Sequence, residues 1–274
     1  MNPVLEITRP LACLGAAAVS VLGSHLGGSL DPGGSVLAAA VAVLLIVAAC
    51  NIVNDVVDLS VDRAHRPGRP LPSGRLDIQT ALPAAVICAV GGLAVTIVIG
   101  PAAVLVAAGF LVAGFAYSLL VRRVTLLGHL WVATMFGATA LWGGWISGAT
   151  SSSVWTAAVL VALFLLPREL LKSLGDRRGD AAAGWRTASV SWGPVVTLRA
   201  MAVSVAVFAA ATVMPVLGGI GGAAYLAGIW VGAVLPLAAV TAWLWPDVDH
   251  RLRRGELLTS LMWFPGLAAL WLLG

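Results

Sequence analysis

Apolar stretches as long as a bilayer is thick recur from one end of this chain to the other, separated only by short polar pieces. A helix needs about 20 apolar residues to cross the hydrocarbon core of a membrane. The chain is 60% hydrophobic and 10% charged over 274 residues, more apolar surface than one soluble core of that length would bury. The pattern therefore predicts an all-α, polytopic membrane bundle with no soluble domain between its spans.

Nine transmembrane helices are expected, at 11–30, 34–57, 78–99, 101–120, 125–147, 152–172, 192–216, 222–245 and 256–273. The passage from Arg9 and Pro10 into Leu11 to Leu22 has the outline of a signal peptide. It lacks a small-residue cleavage site and runs straight on into further spans, so it reads as the first of them. One set of turns is short and nearly uncharged: Pro32 with Gly33 and Gly34, Gly100-Pro101, Ser151 to Ser153, and Gly218 to Gly222.

The 16 Lys and Arg residues fall in or near the other set of connections and the N-terminus. They are Arg9; Arg63, Arg66, Arg69 and Arg75; Arg122 and Arg123; Arg168, Lys172, Arg177, Arg178, Arg186 and Arg199; and Arg251, Arg253 and Arg254. Basic excess marks cytoplasmic loops, so the N-terminus and these loops are expected in the cytoplasm and the C-terminus outside, in the cell membrane. The net charge of +4 thus reports topology, and no nucleic-acid partner is called for. Cys13, Cys50 and Cys88 lie in or beside apolar segments without CxxC spacing, which implies packing rather than a disulfide or a metal site.

Two acidic ladders stand out against this background. In the first, Asn54, Asp58 and Asp62 are spaced i, i+4, i+8, which stacks three oxygen ligands on one helix face and turns Asp55 about 100° away. In the second, Asp176 and Asp180 repeat the spacing, and Arg168 and Lys172 extend the stripe. Carboxylates crowded together repel unless a cation lies between them, and hard oxygen ligands suit Mg²⁺. The interleaved Arg66, Arg69, Lys172, Arg177 and Arg178 then serve as donors to an anion that the metal also bridges, and a diphosphate fits that description. Ordinary helix ends, with solvated acids balanced by arginines, are the plainer reading of either ladder alone. Ionisable residues at the ends of membrane helices favour the functional one. Between the ladders, the segment from Arg63 to Arg75 contains Pro67, Pro70 and Pro72 with Gly68 and Gly74, which predicts an ordered cap, in which His65 reads as a bland loop residue or, alternatively, a phosphate donor.

The run NDxxDxxxD at Asn54 to Asp62, RPxRPLPSG at Arg66 to Gly74, RExxK at Arg168 to Lys172 and DxxGD at Asp176 to Asp180 resembles the UbiA family of intramembrane prenyltransferases. In motif it is most similar to the digeranylgeranylglyceryl phosphate synthase branch, and the likeness spans nearly the whole chain, 1–274, as one domain. The resemblance implies a bundle around a central cavity with a lateral opening for an isoprenoid tail. It implies that Asn54, Asp58, Asp62, Asp176 and Asp180 hold two Mg²⁺ ions and that Arg66, Arg69, Lys172, Arg122 and Arg177 hold the diphosphate, with Asp58, Asp62, Asp176, Asp180 and Lys172 as the catalytic set. Ser173 stands where that branch has an Asp, and His129 where it has an Asn, so residues around these two positions bear on the acceptor.

The expected chemistry is metal-assisted ionisation of a prenyl diphosphate at its C1–O bond, followed by capture of the allylic cation by an acceptor, either a lipid-precursor hydroxyl or an aromatic ring. An alternative is a membrane terpene cyclase of the same fold, in which the prenyl chain's own double bonds attack. Eleven tryptophans bear on it, Trp142 and Trp145 sharing a face, although interfacial belts and packing account for such residues as well. A transporter is disfavoured because the acids sit at helix ends rather than at the midplane. His25 and His250 read as interfacial, and the run Asp247, Asp249, Arg251, Arg253, Arg254 as a loop facing anionic headgroups. Gly27-Gly28 and Gly143-Gly144 read as sites of close helix packing.

Overall fold

The computed structural model of the protein describes residues 2–28, 34–245 and 247–273. Ser29, Leu30, Pro32 and Gly33, at the end of the first expected span and in the turn after it, lie outside the described residues, as does the side chain of Asp249. The element order is α1 (Pro3–Ile7), α2 (Pro10–Leu26), α3 (Ser35–Val57), α4 (Leu59–His65), α5 (Ile78–Thr96), α6 (Pro101–Leu119), a 3₁₀ turn (Val121–Arg123), β1 (Val124–Thr125), α7 (Leu127–Ile146), α8 (Ser152–Ala182) and β2 (Arg186–Thr187). It continues with α9 (Ala188–Ala211), α10 (Met214–Leu217), α11 (Ala223–Ile229), a π-helical turn (Trp230–Val234), α12 (Leu235–Leu244), α13 (Val248–Leu261) and α14 (Trp263–Leu270).

Local chemistry sets the helix boundaries. Asp77 caps α5 by accepting the Thr80 N–H at 2.7 Å, and Ser151 caps α8 by accepting the Val154 N–H at 3.3 Å. Pro101 opens α6 directly after Gly100, whose φ of 132° few other residues tolerate. Gly193, at φ 76°, interrupts α9, so the long apolar run begins at Pro194 and the residues before it form a separate turn.

Among the described residues, six stretches are long and apolar enough to cross a membrane: Ser35–Val57, Ile78–Thr96, Pro101–Arg123, Ser152–Ala182, Ala188–Leu217 and Ala223–Leu244. The shorter apolar α2, 17 residues, and α7, 20 residues, occupy the first and fifth expected positions. Two expectations are corrected. The sixth span does not end at 172 but continues as one 31-residue helix to Ala182. At 1.5 Å per residue it is about 46 Å long, well beyond the hydrocarbon layer, so its final turns carry the second ladder out of the apolar region. The ninth is not continuous over 256–273: α13, rich in arginine, gives way at Met262 to the eight-residue α14.

Helices meet where side chains are smallest. A Cβ on Gly143 would lie 1.8 Å from the Ser20 carbonyl oxygen and one on Gly23 2.0 Å from that of Ala140, so α2 and α7 touch backbone to backbone. Gly27 and Gly144 sit at similar close approaches, but a Cβ on Gly28 would meet nothing within 4 Å, and that glycine instead adopts φ 96°. The core runs along α8, where Leu160, Val161, Phe164 and Leu165 pack on Phe208, Tyr225, Ile229 and Leu237. On α5, α6 and the turn between them, by contrast, Ile87, Val90, Val98, Leu105 and Val112 are exposed. A continuous apolar surface of that kind needs lipid to cover it.

The arginine-bearing connections gather at one end of the bundle. There α4 and α13 both pack on α8, and β1 pairs in parallel with β2, Val124 opposite Arg186 and Thr125 opposite Thr187. At the far end Ser151 donates to the Leu26 carbonyl at 3.0 Å, and the Tyr225 hydroxyl donates to the Thr212 carbonyl at 3.1 Å.

Candidate active site

The first ladder straddles a helix joint. α3 ends at Val57, Asp58 occupies the joint at φ −87°, ψ −1°, and α4 carries Asp62 onward. Asp55, Asp58 and Asp62 are all buried. The joint lies against the second ladder because α4 packs on α8, and Gly179 makes that possible: a Cβ there would stand 2.9 Å from His65 Cδ2 and 3.3 Å from Val61 Cγ1. The ring of His65, at the end of α4, thus lies against Gly179.

Each ladder acid has a partner drawn from another segment. Arg122, at the end of α6, donates to Asp58 Oδ2. Arg69 donates to Asp62 Oδ2 at 2.5 Å and reaches Asp55 at 3.4 Å. Arg66 donates to Asp176, and Asp180 accepts the Thr187 hydroxyl at 2.9 Å. Lys172 donates to buried Glu169 at 2.5 Å. Arg177 lies half-buried beside Asp176 on α8. Four of the five residues expected to bind diphosphate, Arg66, Arg69, Arg122 and Lys172, are thus held by acids, three of them by the ladders themselves.

Segments far apart in sequence supply these contacts. The β1–β2 pairing brings the turn after α6 to the end of α8, where Arg122 and Arg123 lie 4.5 Å and 5.5 Å from the centre of the Trp185 ring. Gly128 starts α7 against the Arg122 backbone, with room for no Cβ, at 2.9 Å. The cap from Arg66 to Leu76 is ordered by its own hydrogen bonds and by buried Leu71 and Leu76. Arg75 fastens it to α1 through a two-toothed pair with Glu6 at 2.8 and 2.9 Å, which holds the Glu6 carboxyl below its usual range. Burial pushes the Asp58 carboxyl above the usual range, and Arg122 opposes that rise.

Sequence reasoning passed over several members of this cluster. Asp55, expected to turn away, is buried and paired with Arg9 and Arg69. Arg9 adopts φ 55°, an unusual conformation for a residue with a Cβ, which aims it at Asp55 and Asn54. The Thr8-Arg9-Pro10 run was the available signal for it. Trp185 and Thr187 carried no spacing signal, since only the strand pairing brings them in, whereas Glu169 belongs to the RExxK run and meets Lys172 along its own helix. Trp142 is buried far along α7 and donates to the Ala39 carbonyl at 3.3 Å, so it is a packing residue remote from the acids. All three cysteines are free thiols.

Oxygen donors are present for a hard cation. Asp58 Oδ1 is buried with no hydrogen-bond partner among the described residues, an exposed lone pair inside a carboxylate cluster. Among the described residues no three acids converge tightly enough to enclose an ion, and Asp58, Asp62 and Asp176 are paired with arginines instead.

The model of the UbiA prenyltransferase family matches residues 12–271. The chain belongs to that family. Membership makes it an enzyme of the prenyltransferase class. It is 35% identical over 243 residues to a digeranylgeranylglyceryl phosphate synthase from Methanopyrus kandleri, covering 88% of this chain and 89% of that one. A synthase of the same name from Halobacterium salinarum is 33% identical over 266 residues, covering 96% of each. Among solved structures, a UbiA homolog from Aeropyrum pernix superposes with a TM-score of 0.81 at 20% identity, over 95% of this chain and 97% of that one. A homolog from Archaeoglobus fulgidus bound to DMAPP and Mg²⁺ superposes at 0.66 and 18% identity, over 97% and 98%.

Proposed function

We propose that this enzyme transfers a prenyl group from a prenyl diphosphate to the hydroxyl of a lipid precursor, with Mg²⁺ held by Asn54, Asp58, Asp62, Asp176 and Asp180. The observation that carries the reading is the junction of α4 with α8, which unites the two ladders and their arginines at one end of the bundle. The free Asp58 Oδ1 and the all-oxygen donor set support the metal. The relatives named digeranylgeranylglyceryl phosphate synthase favour a phosphoglycerol lipid as acceptor over an aromatic ring. We further assign the whole chain to one transmembrane domain of nine spans around a central cavity, with the N-terminus and the site cytoplasmic.

Two Mg²⁺ ions, when bound, supply charge neutralisation for the departing diphosphate. Arg66, Arg69, Arg122 and Lys172 exchange carboxylate partners for diphosphate oxygens and take up the charge that grows as the C1–O bond breaks. Arg177 lends further positive charge beside them. The apolar interior keeps water from the allylic cation, which would otherwise end as the free alcohol.

The test is incubation of purified enzyme with geranylgeranyl diphosphate and Mg²⁺, with and without geranylgeranylglyceryl phosphate, following diphosphate release and organic products by mass spectrometry. Acceptor-dependent release, abolished by EDTA and restored by Mg²⁺, is expected. A cyclic hydrocarbon formed without acceptor would replace the transferase with a cyclase.

A further inference from the structure

His129, the third residue of α7, is an imidazole with no use in the chemistry above. It is buried, 9% exposed, and its Nε2 has no hydrogen-bond partner among the described residues. A buried polar atom left unpaired is unfavourable, and an atom kept so at a reaction centre is explained by a ligand that completes it. Charged groups of α8, Glu169, Lys172 and Asp176, lie near it. Its own helix begins against the backbone of Arg122, the residue that pairs with Asp58. His129 is thus enclosed between the arginine of the first ladder and the face of α8 that leads into the second. Glu169 lies seven residues before Asp176, about 10 Å deeper along the helix, on the membrane side of the carboxylates.

We infer that His129 receives the nucleophilic hydroxyl of the acceptor, an inference that rests on the prenyl-transfer reading above. The diphosphate is assigned to Lys172 and the arginines, so the prenyl C1 attached to it lies near this imidazole. The attacking atom must come within about 3.5 Å of that carbon. In the tautomer protonated at Nδ1, Nε2 is a hydrogen-bond acceptor, which suits an O–H. As the bond from C1 to the diphosphate oxygen breaks, the acceptor oxygen bonds to C1 and its proton passes to Nε2. The products are the prenyl ether, diphosphate and one proton held on the imidazole.

The experiment compares wild type, His129→Ala and His129→Gln as full chains in nanodiscs, with geranylgeranyl diphosphate and either geranylgeranylglyceryl phosphate or 4-hydroxybenzoate. Gln places an oxygen acceptor near the position of Nε2 but does not take up a proton. In His129→Ala, kcat/KM for the phosphoglycerol alcohol should fall on the order of 100-fold, with the KM for geranylgeranyl diphosphate unchanged. In His129→Gln, the KM for the alcohol should recover while kcat stays low. Thermal unfolding gives a second readout, because a ligand that binds the folded state raises its midpoint. The rise produced by geranylgeranyl diphosphate with Mg²⁺ should persist in His129→Ala, and the rise produced by the alcohol should disappear. Unchanged transfer in His129→Ala, an equal loss of both thermal shifts, or transfer by wild type to 4-hydroxybenzoate alone would overturn the assignment of His129. Absence of any shift with geranylgeranyl diphosphate and Mg²⁺ in wild type would instead remove the reading beneath it.

Discussion

Asp58 holds three roles in one position: it occupies the joint between α3 and α4, it pairs with Arg122, and its other oxygen is free. Removing the carboxylate outright would leave a buried guanidinium unpaired, which costs several kcal/mol, so alanine confounds folding with catalysis. Asn keeps the shape and one acceptor oxygen while removing the charge. Asp58→Asn and Asp180→Asn are therefore expected to retain a folded protein by size-exclusion and thermal unfolding, and to lower diphosphate release by a factor on the order of 100 or more. Wild-type release in both variants would dispose of the metal assignment. At this scale the sequence was partly transparent. Fourfold spacing exposed Asn54, Asp58, Asp62, Asp176 and Asp180, because a helix converts spacing into a face. The same logic misjudged Asp55: a residue turned off one face is turned onto another, and here that face meets Arg9 and Arg69.

Gly179 connects the residue to the element. In an isolated helix alanine would be favoured there by about 1 kcal/mol, yet the α4–α8 contact leaves no room for its Cβ. Gly179→Val should force α4 away, lower the midpoint of thermal unfolding and depress turnover by drawing Asp62 from Asp176 and Asp180. Adding His65→Ala empties the space the new side chain needs. Partial recovery of both quantities in the double variant is expected, and the interaction energy of the double-mutant cycle measures the contact. Additive losses would mean that Gly179 matters for another reason. Helix existence was legible in the sequence because apolar length alone specifies it. The charged last turns of α8 lose the hydropathy signal, so only the fourfold spacing of Asp176 and Asp180 pointed to helix there, and contacts with α4, α9 and α13 hold those turns. The two-residue ladder of β1 and β2 was hidden, because so short a pairing leaves no periodicity to read.

For the whole molecule, one geometric fact bears on orientation: the loops that carry the arginines meet at a single end, independently of any rule about charge. Lys and Arg flank membrane spans on the cytoplasmic side, so the proposed orientation puts this end in the cytoplasm and the turn before α11 outside. Single-cysteine variants test it. Cys13, Cys50 and Cys88 make no disulfide, and a background with all three changed to Ala is the starting point. Ser73→Cys lies on the exposed cap at the acidic end, and Ala223→Cys on the exposed turn at the other. With a membrane-impermeant maleimide, Ser73→Cys should label in inverted vesicles and not in intact cells, and Ala223→Cys the reverse. The opposite pattern would place the diphosphate site outside the cell, away from the cytoplasmic supply of activated isoprenoid that the proposed reaction consumes, and both the orientation and the choice of substrate would have to be abandoned together. Labelling of the two positions from the same side would instead leave the site where it is and require an even number of spans between them, which the paired short helices α13 and α14 could not supply because they follow both positions.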